Sequence, residues 1–234
     1  MRAGRLALRW AWRLLLLALL VFVGVQLWFF AHILYWKFQN PEQTAFMQHE
    51  LERLRAKDSK ANLRQQWLSY ERISNNLKRA VIAAEDARFI EHEGVDWEAI
   101  QRAYEENMRR GRPVKGGSTI SQQLAKNLFL SSERSYLRKG EEFVITEMLE
   151  FAWDKRRILE VYLNVAEWGD GIFGAEAAAR HYYGVSAAQL DADQAARMAA
   201  FLPNPKRYGR LRTGPFLDRR TEHILRYMPA VPVP

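Results

Sequence analysis

The 234-residue chain contains no cysteine. That excludes a disulfide framework and any thiolate-ligated zinc site. Its five histidines, His32, His49, His92, His181 and His223, include no pair at the one-turn helical spacing that metal ligands need. Each therefore reads as structural. Strand-like alternation is nearly absent, and no segment repeats at a fixed period. The only biased stretch is the closing Pro-Ala-Val-Pro-Val-Pro, residues 229–234, read as a short extended tail. A P-loop is excluded as well, because Gly111 to Gly116 has the glycine spacing but Gly117-Ser118 stands where Gly-Lys is required.

Excess positive charge is also scarcer than the formal +8 implies. Setting aside Arg2, Arg5, Arg9 and Arg13 leaves 31 basic against 27 acidic side chains, a net of +4. A nucleic-acid partner is not expected from so mild a balance, whereas an anionic membrane surface is.

What the chain has in quantity is apolar residues, at 48%, and one uninterrupted concentration of them. Leu14 to Trp36 is broken only by Gly24, Gln26 and His32. As a helix it is about 34 Å long, enough for a hydrocarbon core of about 30 Å. Residues 1–13 carry four arginines and no acid, which predicts a cytoplasmic N-terminus, with everything after Lys37 on the far side. A cleaved signal peptide has a shorter apolar run and a small-residue cleavage site. Here Trp28, Phe29, Phe30, Tyr35 and Trp36 form an interfacial belt instead, so residues 14–36 read as an uncleaved transmembrane signal anchor.

Residues 37–72 read as a juxtamembrane helical spacer, with Leu51, Leu54, Leu63 and Leu68 at amphipathic spacing. A single domain over 73–228 follows. Ser74-Asn75-Asn76 suits a helix cap, and Leu77, Val81 and Glu85 then share one row at i, i+4 and i+8. Asp96 starts another helix, which fades into a basic glycine-containing loop from Arg109 to Lys115. Helix is expected from Glu141 through Val165 and from Ala187 to Leu202.

Two carboxylates fall on core-facing rows. Glu85 closes the row above, and loss of hydration there raises proton affinity and suits a general base. Its plain alternative is a structural pairing with Arg88 or Lys78. Glu142 shares a face with Ile145, Leu149 and Trp153, which turns Glu141 outward. Two inward carboxylates are what chemistry at a glycosidic bond requires. Between them, Gly116-Gly117 leads into Ser118 and Thr119, and Thr119-x-x-Gln122 has capping-box spacing. Free amides at that helix start would favour a phosphate. Lys126, Arg134, Arg138 and Lys139 follow closely enough to converge on one polyanion.

The order Glu-Asp-x-x-Phe-x-x-His-x-Gly-x-Asp from Glu85, Gly-Gly-Ser-x-x-x-Gln-Gln-x-x-Lys-Asn from Gly116, and Arg-Lys-x-x-Glu from Arg138 resembles the peptidoglycan glycosyltransferases. These form glycosyltransferase family 51, the transglycosylase domain of penicillin-binding proteins. Lys155-x-x-Ile-Leu-Glu-x-Tyr-Leu-Asn and Ala195 to Pro205 complete five motifs in order. The continuation from Val165 to Gly174 looks most like the monofunctional, membrane-anchored members from Gram-negative bacteria. No Ser-x-x-Lys occurs, so a transpeptidase activity is not expected.

The resemblance implies a mainly α, lysozyme-like fold with a head and a membrane-proximal jaw behind an N-terminal transmembrane helix. It implies lipid II and the growing glycan strand as substrates, joined by inversion into β-1,4 linkage with release of polyprenyl diphosphate. Glu85 and Glu142 would be catalytic. Ser118, Gln122, Gln123, Lys126, Asn127, Arg134, Arg138 and Lys139 would hold the sugar diphosphate. Asp86, Phe89, His92, Gly94, Gly116, Gly117, Tyr162 and Asn164 would support them. A divalent metal, Mg²⁺ or Mn²⁺, would act through the diphosphate, Glu142 would assist departure of the diphosphate either directly or by holding that metal, and no organic cofactor is expected. The implied location is the bacterial inner membrane, single-pass, with the catalytic domain in the periplasm beside other cell-wall synthesis or division proteins. The rivals are a membrane-anchored muramidase or lytic transglycosylase, and a catalytically silent scaffold.

Overall fold

The computed structural model describes residues 2–111, 117–130 and 135–234, with side chains from residue 9 onward. It divides into two compact units, Met1–Gln39 and Asn40–Pro234. The first is a single helix, α1 (Arg2–Trp36), long and apolar enough to cross a membrane. Leu14, Leu17, Leu20 and Phe22 along it are exposed. Its one interior histidine is satisfied locally, His32 Nδ1 donating to the Trp28 carbonyl at 2.9 Å.

The second unit runs α2 (Ala45–Arg55), β1 (Arg64–Gln65), a 3-10 turn (Tyr70–Arg72), α3 (Asn75–Glu85), α4 (Trp97–Arg110), α5 (Ile120–Phe129), α6 (Tyr136–Ala152) and α7 (Lys155–Val165). It continues through β2 (Glu167–Gly169), β3 (Ile172–Phe173), α8 (Ala175–Tyr183), α9 (Ala192–Ala199), α10 (Pro205–Leu211) and α11 (Pro215–Tyr227). The chain is mainly α, as expected. The small sheet has order β1-β3-β2, with β1 parallel and β2 antiparallel to β3.

Most of these helices begin where a short polar side chain accepts an otherwise orphaned amide. Ser74, Asp96, Thr119, Ser135, Asp154, Asp191 and Asn204 all do this. Helix α5 is central, packing against α2, α6 and α7, while α3 lies against α9 and α11. Leu77, Val81, Leu124, Ala125, Ile145, Leu149 and Ile158 are fully buried where these helices meet.

Three segments differ from the sequence reading. Residues 56–72 are not α-helical beyond α2, and only Tyr70–Arg72 forms a 3-10 turn. Arg64 N donates to the Gly171 carbonyl at 2.9 Å, and the Asn164 amide takes both backbone groups of Leu68, at 2.8 and 3.0 Å. Tertiary partners thus replace intrahelical ones. The stretch from Ala187 is not yet helix, because buried Glu176 captures the Ala187 amide at 2.7 Å and the Ser186 hydroxyl at 2.8 Å; the helix starts at Asp191, in a capping box with Gln194. Residues 141–165 are two helices, divided where Asp154 caps α7.

Candidate active site

Glu85 is the last residue of α3, one turn beyond Val81 on the buried row. Its side chain is only 12% exposed. Neither Arg88 nor Lys78 pairs with it. Arg88 Nε donates to Glu91 at 2.8 Å, and Lys78 Nζ donates to Asn75 at 3.2 Å and lies over the Tyr70 ring. The partners of Glu85 come from other helices: Gln123 Nε2 on α5 donates to Oε2 and Arg220 Nη2 on α11 donates to Oε1, each at 2.9 Å. Burial raises the Glu85 pKa, and the Gln123 hydrogen bond and the Arg220 charge oppose without cancelling it.

Gln123 is itself held from behind, since the Tyr162 hydroxyl donates to its Oε1 at 2.9 Å. Tyr162 is fully buried, and burial, then the charges of Glu85 and Asp86, push its pKa well above the ordinary phenol value. It is therefore a fixed donor. The chain Tyr162 to Gln123 to Glu85 orients the amide so that its N–H₂ end faces the carboxylate.

Asp86 diverges from its neighbour. Its Oδ2 accepts the first amide of α5, Ile120 N, at 3.0 Å, and its Oδ1 contacts His92 Nε2 at 2.9 Å. This locks the end of α3 to the start of α5, which brings Gln123 to Glu85. The capping box at Thr119 and Gln122 is formed on both sides. Three of the amides at this helix start, where the sequence suggested an anion site, are thereby engaged: Ile120 N with Asp86, Gln122 N with Thr119 Oγ1 at 3.2 Å, and Thr119 N with Gln122 Oε1 at 3.1 Å. Gln122 is buried in the cap, with its amide oxygen committed there.

Glu142 is buried on α6, as its row predicted, beside fully buried Ile145 and Leu149. Arg138 Nη1 donates to Oε2 at 2.8 Å, and Lys139 Nζ donates to Oε1. Lys139 also reaches Ser118 Oγ at 3.4 Å. One carboxylate is bracketed by two cations, leaving net positive charge next to exposed Ser118. Arg138 Nε is buried without an acceptor among the described residues.

Lys126 and Asn127 lie one turn beyond Gln123 on α5, Lys126 Nζ standing 5.9 Å from the centre of the Phe46 ring. Phe89 is fully buried, with Lys155 Nζ 4.7 Å from its ring centre. Gly94 has φ +87°, and a Cβ there would stand 2.8 Å from Thr146 Cγ2, so glycine is required on both counts. Gly117 backs onto Ile100, 3.1 Å from any added Cβ. Asn164 is the clamp on Leu68. Gly116, Arg134 and the loop segment 112–115 lie outside the described residues.

Sequence reasoning missed Arg220. A signal was present: on α11 it falls between buried Leu217 and Ile224 at i+3 and i+7, a charge on an apolar row, as Glu85 is on α3.

With the geometry in place, the comparisons with known proteins are direct. Residues 48–229 match the transglycosylase family, and the chain belongs to that family. It is 60% identical over 223 residues to the biosynthetic peptidoglycan transglycosylase of Janthinobacterium sp. (strain Marseille), covering 95% of this chain and 96% of the relative. The proteins of that name from Dechloromonas aromatica and Thiobacillus denitrificans are 59% and 58% identical, each covering 97% of this chain and 98% and 97% of the relatives.

Proposed function

We propose that this chain is a peptidoglycan glycosyltransferase that polymerises lipid II into β-1,4-linked glycan strands and releases polyprenyl diphosphate. The observation that carries the reading is the Glu85 carboxylate, desolvated at the end of α3 yet held in place by Gln123 and Arg220. A raised proton affinity on an immobilised carboxylate suits removal of a proton from a hydroxyl nucleophile.

Glu85 takes the proton of the acceptor 4-hydroxyl. The hydroxyl oxygen bonds to the anomeric carbon of the growing chain, the bond from that carbon to the diphosphate oxygen breaks, and the electron pair leaves on the diphosphate. One displacement inverts the anomeric centre. Arg138 and Lys139, already converged on Glu142, neutralise the departing charge together with Lys126 on the neighbouring helix, where Asn127 shapes the sugar-diphosphate site. Arg134 shares this task by resemblance.

A divalent ion does not fit Glu142 as a purely protein-held metal, because both carboxylate oxygens already accept from cations. The Mg²⁺ or Mn²⁺ of our reading would take its ligands chiefly from the diphosphate oxygens. No step above depends on it.

In this reading helix α1 anchors the enzyme in the plane of its lipid-linked substrates, and the positive-inside bias of the arginines ahead of it supports a catalytic unit on the periplasmic side of the inner membrane. Partners in cell-wall synthesis or division belong to the same proposal. The rival muramidase reading has no use for cations gathered around Glu142.

The deciding experiment incubates the detergent-solubilised protein with labelled lipid II. Lysozyme-digestible polymer from wild type, lost in Glu85→Gln, is the expected result. Cleavage of preformed strands without consumption of lipid II would overturn it.

A further inference from the structure

A cavity of about 890 Å³ opens among the C-terminal end of α2, the C-terminal end of α8, and α10. Neither Glu85, Gln123, Arg138 nor Glu142 lines it. Its volume is in the range of small-molecule sites. Its lining is cationic: Arg53, Arg64, Lys206, Arg207, Arg210 and Arg212 face the single carboxylate Asp170. Arg53 is committed to Asp170 and buried Glu50, and Lys206 to Glu50 at 2.5 Å. The other four arginines have no carboxylate partner among the described residues.

Two of the four are aimed at one imidazole. Arg64 Nη1 lies 3.3 Å from His181 Nδ1, and Arg212 Nη2 lies 3.3 Å from His181 Nε2. A guanidinium only donates, and a neutral imidazole has one lone-pair nitrogen. One of these two solvent-exposed arginines therefore faces a ring N–H, and neither has a charged acceptor among the described residues. Protonating His181 relieves nothing, since both nitrogens would then donate. Burial, followed by the charges of Arg212 and Arg64, holds its pKa below the ordinary imidazole value. Arg212 is also the one described residue other than glycine with positive φ, +59°. That conformation ends helix α10, the Arg212 amide donating back to the Tyr208 carbonyl, and it sets the guanidinium at the rim of the cavity.

We propose that this cavity is a second anion-binding site, separate from the catalytic carboxylates, that takes a phosphate-class group between Arg64, Arg210 and Arg212. A carboxylate needs one bidentate arginine; several guanidinium groups with no counter-ion match an anion with more oxygens and more than one charge. The group is a free diphosphate or the phosphate of an anionic lipid headgroup.

The full chain, labelled with ¹³C and ¹⁵N at histidine side chains, tests this in detergent micelles. The His181 resonance is assigned by its loss in His181→Gln. Titrating inorganic pyrophosphate should shift it saturably, and the affinity should fall about tenfold or more in Arg64→Gln/Arg212→Gln, since charge-assisted hydrogen bonds are lost. Arg210→Gln, an exposed change expected to leave folding intact, should weaken binding several-fold and decides the matter if the double variant unfolds. Nanodiscs of phosphatidylcholine with and without phosphatidylglycerol, free of pyrophosphate, separate the sources: a His181 shift on phosphatidylglycerol assigns the lipid, and a response to pyrophosphate alone assigns the free anion. No saturable shift with either probe overturns the proposal, as does one of unchanged affinity in the variants. Polymerase activity is not read, so failure here leaves the catalytic assignment untouched.

Discussion

Arg220 Nη2 donates to Glu85 Oε1 at 2.9 Å and to the Ala84 carbonyl at 3.2 Å, fastening the end of α3 to α11 across 135 positions of sequence. The guanidinium is the nearest positive charge holding down a carboxylate that burial drives up. Removing it disfavours the ionised form, so Arg220→Gln should move the acidic limb of the pH–activity profile to higher pH and lower kcat at neutral pH. Lysine, which retains the charge but not the planar fork, should reverse part of the shift. A profile unchanged in Arg220→Gln would exclude this positioning role.

Tyr162 is linked to Glu85 by hydrogen bonds through Gln123. Tyr162→Phe leaves Gln123 Oε1 without its donor, at a cost of about 1–3 kcal/mol for a buried unsatisfied group. Gln123→Ala removes the contact to Glu85 itself. The alanine variant should therefore lose more kcat than the phenylalanine variant, with circular dichroism unchanged in both; the reverse order in lipid II polymerisation rates would break the proposed chain of contacts.

Glu142 balances two cations, so its loss changes both folding and charge. Glu142→Gln should destabilise the fold by leaving Arg138 partly unpaired in a buried place, by about 1–3 kcal/mol, and should lower kcat. If a divalent ion acts through the diphosphate, chelation should suppress wild-type polymerisation and added Mg²⁺ should restore it. Lys139→Gln should then raise the Mg²⁺ concentration needed for half activity. Full activity in excess chelator would remove the metal from the mechanism.

Glu167 supplies a pH test of stability. Burial, against the opposing charge of Lys206, lifts its pKa from 4.5 to about 7. The unfolded chain loses this proton near the ordinary carboxylate value, whereas the folded chain keeps it until about 7. Stability from this group is thus present below about pH 4.5 and lost as pH rises to about 7, by up to about 3 kcal/mol. Glu50 nearby works oppositely: burial raises its pKa, but Lys206 and Arg53 outweigh that and lower it. The difference between Glu167→Gln and wild type isolates the first effect. Urea midpoints should favour the variant increasingly from pH 4.5 to 7 and by a constant margin above.

The Asn164 side chain is fully buried and makes three hydrogen bonds, two to Leu68 and one to the Glu160 carbonyl at 2.8 Å. Asn164→Ala should cost about 2–4 kcal/mol by stranding the Leu68 backbone. Denaturant unfolding measures this directly, and proteolysis should then cut first within residues 56–72.

The limits of legibility follow from the range of each signal. Helical periodicity is local, repeating every 3.6 residues, so Leu77-Val81-Glu85 and Glu142-Ile145-Leu149 announced inward carboxylates without any knowledge of the fold. Capping chemistry is local too, and Ser74, Asp96 and the Thr119-Gln122 box stand where their residue types put them. The apolar run of α1 needed only length and composition.

What the tertiary structure decided lies between helices. Whether the amides at the start of α5 stay free for an anion depends on Asp86, 34 residues earlier, arriving to accept one of them. Whether Glu85 meets Arg88 or Arg220 depends on the packing of α3 against α9 and α11. Residues 56–72 leave the helical state because Asn164 and Gly171 offer their backbone better partners. The sequence by itself determined which side chains turn inward; only the packing of distant helices decided which of them meet.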